Sequence, residues 1–456
     1  MATVLPPPSK RQRREIDEKA RQQQEIDSIP EDLGSVRVQF FDQSTGTASG
    51  PAVAVPLSDA TVKNLEILLN TLQGHDDPER IPYRFTYKQE DRDGNVIDIS
   101  SDLYHSLLQP ARVWDCDTGT PLHTLKGHTS WVLAVSWSPN DNMIATGSMD
   151  NTVRLWDPRT GQALGAPMKG HTKWIMGLAW EPYHLQSPGK PRLASASKDS
   201  TVRIWDVVSR RIETVLTGHK GSVSCVKWGG LGKIYTSSHD KTIKIWDSES
   251  GSLIQTLSSH THRVNHLALS TDFVLRTSFN EHNQKPPEKE EEKVKLAKER
   301  FEKAATVNNK ISEKLVSASD DFTMFLWDPE VSSKPVARML GHQKEVNHVT
   351  FSPDGVYIAS ASFDNHVKLW NARDGKFIFS LRGHVGPVYQ CCFSADSRLL
   401  VSSSKDTTLK IWDVRTGKLT MDLPGHQDEV YAVDWSPDGE RVGSGGRDKA
   451  VRIWRH

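Results

Sequence analysis

Residues Gly425–Trp454 read GHQDEVYAVDWSPDGERVGSGGRDKAVRIW, and this stretch is the unit that the chain repeats. It opens on a Gly-His pair. An alternating strand follows, with Val430, Ala432 and Asp434 set against Tyr431, Val433 and Trp435, and it turns at Ser-Pro-Asp-Gly. A second strand of small residues ends at Ser444. The chain then turns at Asp448 and closes on Val451, Ile453 and Trp454. Period-two alternation bounded by Gly, Pro and Asp turns predicts short antiparallel strands.

The same unit recurs upstream. Its opening histidines are His128, His171, His219, His260, His342, His384 and His426, and its closing tryptophans are Trp156, Trp205, Trp246, Trp327, Trp370, Trp412 and Trp454. Five of the seven separations are 27 or 28 residues; the second is 34 and the fourth 67, so those two repeats carry insertions. Six residues before each tryptophan lies an aspartate (Asp150, Asp199, Asp240, Asp321, Asp364, Asp406, Asp448). Ten before it lies a hydroxyl (Thr146, Ser195, Thr236, Ser317, Ser360, Ser402, Ser444). A repeat of about 40 residues with this signature marks an all-β, WD-repeat β-propeller.

His, Ser and Asp together also suggest a hydrolase triad. An enzyme needs one such site, whereas this chain has one per structural unit at fixed spacing. The structural reading is therefore preferred: His128, Thr146, Asp150 and Trp156, and likewise His426, Ser444, Asp448 and Trp454, form a buried hydrogen-bonded tetrad pinning each blade's turns to its strands. No single acid–base pair, nucleophile, phosphate loop or metal set stands apart from the repeats. The expectation is a protein that is not an enzyme and needs no cofactor.

At 456 residues the chain exceeds a single core and predicts at least two domains. Its 57 basic and 57 acidic residues cancel, so any nucleic-acid attraction must be local. The four cysteines, Cys116, Cys225, Cys391 and Cys392, form no CxxC pair, which argues against a disulfide framework or zinc site. No apolar run approaches a membrane span, and the N-terminus lacks an apolar signal core. These features predict a soluble intracellular protein with no membrane partner.

Residues 1–34 are polar, charged and proline-containing and read as a disordered tail. Within it Lys10-Arg11-Gln12-Arg13-Arg14 is a basic cluster, either a nuclear-entry signal or nucleic-acid contact, or a solvated run. From Ser35 the pattern is globular. Val36, Val38 and Phe40 predict a strand, with Val53 and Val55 on its hairpin partner. Ser58 caps a helix carrying Val62, Leu65, Leu68, Leu69 and Leu72 on one face. Tyr83, Phe85 and Tyr87 form a third strand, Asp93-Gly94-Asn95 turns into Val96-Ile97, and Ser101 caps a short turn of Leu103, Tyr104, Leu107 and Leu108. This order resembles a ubiquitin-like domain over 35–110 that lacks its last strand.

In place of that strand, Ala111-Arg112-Val113-Trp114-Asp115 is the closing strand of a propeller repeat without its opening half, and Pro121–Leu125 is the outer strand that follows. The join at Pro110/Ala111 thus reads as a deletion of the domain's last strand and most of one blade. An alternative splice form and a mis-assembled gene would each produce it. The propeller at 111–456 is read as seven complete repeats plus this remnant of an eighth. Pro121–Leu125 is also available as the missing outer strand of the last blade, which would close a seven-bladed ring. The fourth repeat carries a charged insertion at 279–312, whose Glu/Lys alternation over Lys289–Lys303 predicts an exposed helix or charged loop, more a solvated excursion than a docking arm.

The combination resembles the Notchless family of ribosome-assembly proteins. The residues that carry the resemblance are DLPGHQDEVYAVDWSPDG at 422–439, GHTKWIMGLAWEP at 170–182, LALSTDFVLR at 267–276 and SSDLYHSLL at 100–108. It implies a nuclear and nucleolar factor for maturation of the 60S ribosomal subunit, a monomer within a larger complex. Its propeller would bind the pre-60S particle, with its ribosomal proteins and rRNA. Its ubiquitin-like domain would be gripped by midasin, an AAA-type ATPase, through a glutamate that completes a metal's coordination. That acidic position falls within the missing segment, and Asp115 and Asp117 belong to the propeller remnant. Coupling to the ATPase is therefore in question for this chain.

Propellers bind through loops on their narrow face. The third residue after each opening histidine and the residue before each repeat aspartate should lie there. The chosen contact residues are Trp131, Trp174, Arg263, Lys198, Phe363, Lys405 and Arg447, with Lys198, Lys405 and Arg447 candidates for rRNA phosphate. Competing readings are a ubiquitin-ligase substrate receptor, for which no F-box-like helical segment precedes the repeats, and a signalling scaffold, including a Notch-pathway role.

Overall fold

The computed structural model describes residues 35–38, 40, 53–56, 65, 68, 69, 86–88, 96–98, 111–280, 287–307 and 310–455. Backbone contacts divide the chain into two units, Met1–Pro110 with Thr129–Trp131, and Ala111–His128 with Val132–His456.

In the first unit, β1 (Ser35–Val38) pairs antiparallel with β2 (Val53–Pro56), setting Val36 opposite Val55 and Val38 opposite Val53. β3 (Thr86–Lys88) pairs with β4 (Val96–Asp98), Tyr87 opposite Ile97. Phe40, Val55, Leu65 and Leu69 are buried, the last two at helical positions. The tail at 1–34, the Ser58 cap, Val62, Leu72, Tyr83, Phe85, Ser101 and the turn at 103–108 lie outside the described residues.

The second unit is built of antiparallel sheets taken in chain order. β5 (Ala111–Trp114) pairs with β6 (Pro121–Leu125) as a two-stranded remnant. β7 (Val132–Trp137), β8 (Ile144–Ser148), β9 (Thr152–Trp156) and β10 (Met168–Lys169) form the first full blade. Five more four-stranded blades follow, and the seventh has three strands, Val430–Trp435, Arg441–Gly446 and Val451–Arg455. Pro121–Leu125 does not complete that last blade; its register with β5, Ala111 opposite Leu125 and Val113 opposite His123, keeps the remnant as a sheet of its own.

Cores form between consecutive blades. In one, Ala194, Ala196, Val202 and Ile204 of the second blade meet Val226, Trp228 and Trp246 of the third. The small residues of a blade's second strand leave room for the large apolar residues of the next blade's first. Six of the closing tryptophans are at most 2% exposed, so nearly the whole indole surface contributes to burial.

The insertion is not a solvated excursion. Between the first and second strands of the fourth blade, α1 (Asp272–Thr277) and α2 (Glu290–Ala305) emerge. α2 buries Ala297, Phe301 and Ala305, one residue every four along one face. Phe301 stacks on His184 at 4.8 Å, and His184 in turn reaches the Gly230 carbonyl at 2.9 Å. Tyr183 packs on Phe279 at 4.9 Å. The extra residues of the second repeat thus receive the insertion of the fourth. Within the Glu/Lys run Glu290 accepts from the Tyr183 hydroxyl and Lys293 lies over the Phe279 ring, while other members form i,i+3 and i,i+4 pairs such as Lys295–Glu299 on the outer face.

Candidate interaction face

Each blade holds its turns by the same four side chains. The histidine Nδ1 lies 2.7–2.9 Å from the aspartate in all seven repeats. Its Nε2 lies 2.7–2.8 Å from the hydroxyl. The tryptophan Nε1–H donates to that hydroxyl at 2.8–3.0 Å. An ionised aspartate accepts only, so Nδ1 carries the imidazole proton and Nε2 accepts from the hydroxyl. Every donor in the chain then has one acceptor. Proton relay to a substrate has no place here, because the tetrad is closed and buried.

The tetrad also sets a turn. The residue after each aspartate has positive φ, from 62° at Lys449 to 72° at Lys241, and the aspartate accepts the backbone N–H two residues on. This left-handed residue reverses the chain. The residue before the aspartate is thereby brought against the loop after the histidine.

In six of the seven repeats the two loop positions chosen from the sequence are backbone neighbours. Lys198 N–H donates to the Trp174 carbonyl, His239 to Ser222, Asp320 to Arg263, Phe363 to Glu345, Lys405 to Pro387 and Arg447 to Glu429, at 2.7–3.0 Å. Their side chains divide into two chemical groups. Lys198 places its Nζ 4.0 Å from the centre of the Trp174 ring, a cation–π contact on an exposed surface. His239 lies near Arg263 and Lys198; burial first, then those two charges, lower its pKa. Arg263 is exposed. Trp131, directly before β7, is 68% exposed.

The other group is aromatic with internally compensated charge. Phe363 meets Tyr389 edge-on at 5.8 Å, Tyr389 meets Tyr431 at 5.1 Å, and the Tyr389 hydroxyl donates to Glu429 at 2.8 Å. Lys405 lies 3.3 Å from Glu429, and Arg447 lies 3.7 Å from Asp428 and 3.9 Å from Glu429. These two cations, chosen as phosphate contacts, share an acidic neighbour supplied by the last blade. For Lys405 sequence spacing gave no sign of it, because the partner comes from the adjacent blade, whereas Arg447 and Glu429 share one blade.

Sequence reasoning also missed a polar group linking α1 to the blades. Asp272 pairs with Lys227 of the third blade at 3.0 Å, and Arg276 with Asp434 of the seventh at 2.6 Å. Asn280, just beyond, donates to Asp141 of the first at 2.7 Å. His266 and His348 stack at 4.1 Å, six residues after their opening histidines, and burial followed by Lys227 lowers His348 to about 3. No group of His, Cys, Asp or Glu that could hold a metal occurs among the described residues.

Tetrad, turn and blade order define a WD-repeat propeller protein. The WD domain, G-beta repeat family matches residues 119–157, 163–206, 210–247, 333–371, 375–413 and 417–455, and the NLE (NUC135) domain matches 36–98. The fourth blade falls outside those matches because of its insertion, though its His260–Ser317–Asp321–Trp327 tetrad is intact. Ribosome assembly protein 4 of Saccharomyces cerevisiae is 51% identical to the chain, over 83% of this chain and 85% of the relative. The protein of that name from Chaetomium thermophilum is 52% identical over the same shares, and the Notchless protein homolog of Arabidopsis thaliana is 54% identical over 77% and 83%. The chain belongs to the Notchless family.

Proposed function

We propose that this protein is a non-enzymatic assembly factor for the large, 60S ribosomal subunit. The observation that carries the reading is identity of about one half, across most of both chains, to two proteins named for ribosome assembly. The propeller binds pre-60S particles through its narrow face, in a nuclear and nucleolar setting to which Lys10–Arg14 gives access. Lys198 on Trp174, with Arg263, is the cationic and aromatic part that meets rRNA or ribosomal protein. Phe363, Lys405 and Arg447 contribute through the aromatic part, where Glu429 tempers their charge. The ubiquitin-like segment is the element on which a midasin-type ATPase pulls. In this chain the last strand of that segment is missing, and Asp117 is occupied by Arg441 and Arg455. The shortened form therefore docks without transmitting force.

Sedimentation of the tagged chain from cell extract tests this. Co-migration with 60S-sized particles, reduced by Trp174→Ala with Lys198→Glu, is the expected result. Migration only in a much smaller complex would overturn the reading and favour a ligase receptor or signalling scaffold.

A further inference from the structure

Matched positions in the seven blades show where a neighbour is missing. Nine residues after its opening histidine, Trp137 is 47% exposed, whereas its counterparts, from Trp180 through Phe351 to Trp435, are at most 7% exposed. Two residues earlier, Val135 is 63% exposed, against at most 2% for Val226, Leu267, Val349, Cys391 and Val433, with Leu178 of the second blade partly buried. At the far end of the chain, Val451, three residues before Trp454, is 46% exposed, while Val153, Val202, Ile243, Met324, Val367 and Leu409 are at most 1%. A Cβ added at Gly443 or Gly445 would meet nothing within 4 Å, although at the matching Gly147 it would strike Ile175 of the next blade at 2.6 Å. One face of the first blade and the opposite face of the seventh are therefore open.

The remnant sits between them, at the rim. Arg192, Lys233 and Lys314 each stand thirteen residues before a closing tryptophan, and each reaches the turn after the closing tryptophan of the next blade, at Ser248, Glu330 and Ala372. Arg441, thirteen before Trp454, reaches Asp117, three after Trp114. On the other side Ala111, Val113 and Leu125 pack with Ile144 and Trp156 of the first blade. The unit has eight blade positions, and the eighth is filled only in its outer half.

What is absent has a definite chemistry. β5 pairs only with β6 among the described strands, so its inner edge offers unpaired backbone groups. The Trp114 indole donates to no described hydroxyl, unlike its seven counterparts. The flank of Gly443, Gly445 and Val451 calls for a strand with bulky apolar residues, and the flank of Val135 and Trp137 for one with small residues. Among the described residues a second copy of this chain has no such hairpin free, because the inner strands of its full blades are paired within their own sheets.

We propose that the inner half of the eighth blade is a docking slot for a β-hairpin of WD type, donated by a different polypeptide. Its second strand pairs with β5, its apolar residues cover both flanks, and its Ser or Thr accepts the Trp114 indole N–H. The association is strand addition, with backbone pairing supplying affinity and the two flanks supplying selectivity.

The test uses the full chain and a synthetic peptide with the sequence of residues 341–362, GHQKEVNHVTFSPDGVYIASAS. Calorimetry should show saturable one-to-one binding, with a Tm that climbs as peptide is added. Val135→Asp, at an exposed position that leaves folding intact by circular dichroism, should weaken binding about tenfold or more, because a charge would face apolar side chains. Val331→Asp, at an exposed position of the fourth blade away from the slot, should bind normally. Absence of saturable binding, or binding indifferent to Val135→Asp, overturns the proposal. So does light scattering that shows a dimer which peptide fails to dissociate, since a second copy would then cover the slot. No ribosomal particle enters these measurements, so their failure leaves the assembly-factor reading standing.

Discussion

Ser317 shows what one hydroxyl does in this fold. It stands between the Trp327 indole and His260, and all three are buried. Ser317→Ala strands both partners and should cost about 1–3 kcal/mol. Ser444→Ala should cost less, because Trp454 is only partly buried and its indole can turn to water. Urea unfolding compares the two, and equal losses would contradict the argument. The aspartates set the pH response. Burial pushes the Asp364 carboxyl up, but the hydrogen bond from His342, with the backbone N–H groups of Gln343 and His366, outweighs it and holds the group at about 2. That lies below the unfolded value of about 3.9, so the contribution is complete above about pH 4 and lost as pH falls through about 2. Asp199, Asp240, Asp321 and Asp406 are lowered in the same way, burial being opposed by their histidines. The Tm should therefore drop steeply between about pH 4 and pH 2, and Asp364→Asn should flatten that drop. Phe322 tests the turn. It is the one aromatic among the left-handed turn residues, at φ 66°, and is 41% exposed. Phe322→Asn should stabilise by about 1 kcal/mol, since Asn tolerates that conformation.

α2 is held by Phe301 on His184, Ala297 beside Tyr183 and Phe279, and Arg300 on the Asn280 carbonyl and Thr277 hydroxyl. Phe301 lies between His184 and Gly230, where a Cβ added to the glycine would come within 2.3 Å of the ring. Phe301→Ala removes the largest buried side chain of the helix, a change that typically costs about 3–5 kcal/mol. Here the loss should be local. Hydrogen exchange over 287–307 should accelerate while the blades keep their protection. Uniform acceleration would mean that the insertion is part of the global folding unit. The buried spacing of Ala297, Phe301 and Ala305 is visible in the sequence, but the surrounding Glu and Lys residues obscure it. What receives the helix, the extra turn at Tyr183–Leu185, lies more than a hundred residues away.

The propeller unit carries its consequences at the open position. Val451 and Val367 occupy equivalent places, yet one is 46% exposed and the other 0%. Val367→Ala should cost about 2–3 kcal/mol and Val451→Ala less than about 0.5. A large loss at Val451 would show that the two flanks meet in solution. The fourth-blade insertion spans this unit through Arg276–Asp434, Lys227–Asp272 and Asn280–Asp141, touching the seventh, third and first blades. It therefore ties together the two blades that border the empty half.

The sequence by itself determined the blade. Histidine, hydroxyl, aspartate and tryptophan interact within one repeat, so their spacing and the turns between them are local information. Strand order, the two-strand remnant and the two loop positions per repeat follow from that spacing. Tertiary structure decided whatever depends on the next blade. It seats β5 and β6 at the rim of an eighth position, where Arg441 meets Asp117, and leaves Pro121–Leu125 away from the last sheet. It gives Lys405 an acidic neighbour in Glu429 of the next blade. It folds α2 down onto the second and third blades. These outcomes depend on how side chains distant in sequence meet across blade faces, and repeat spacing carries no record of that geometry.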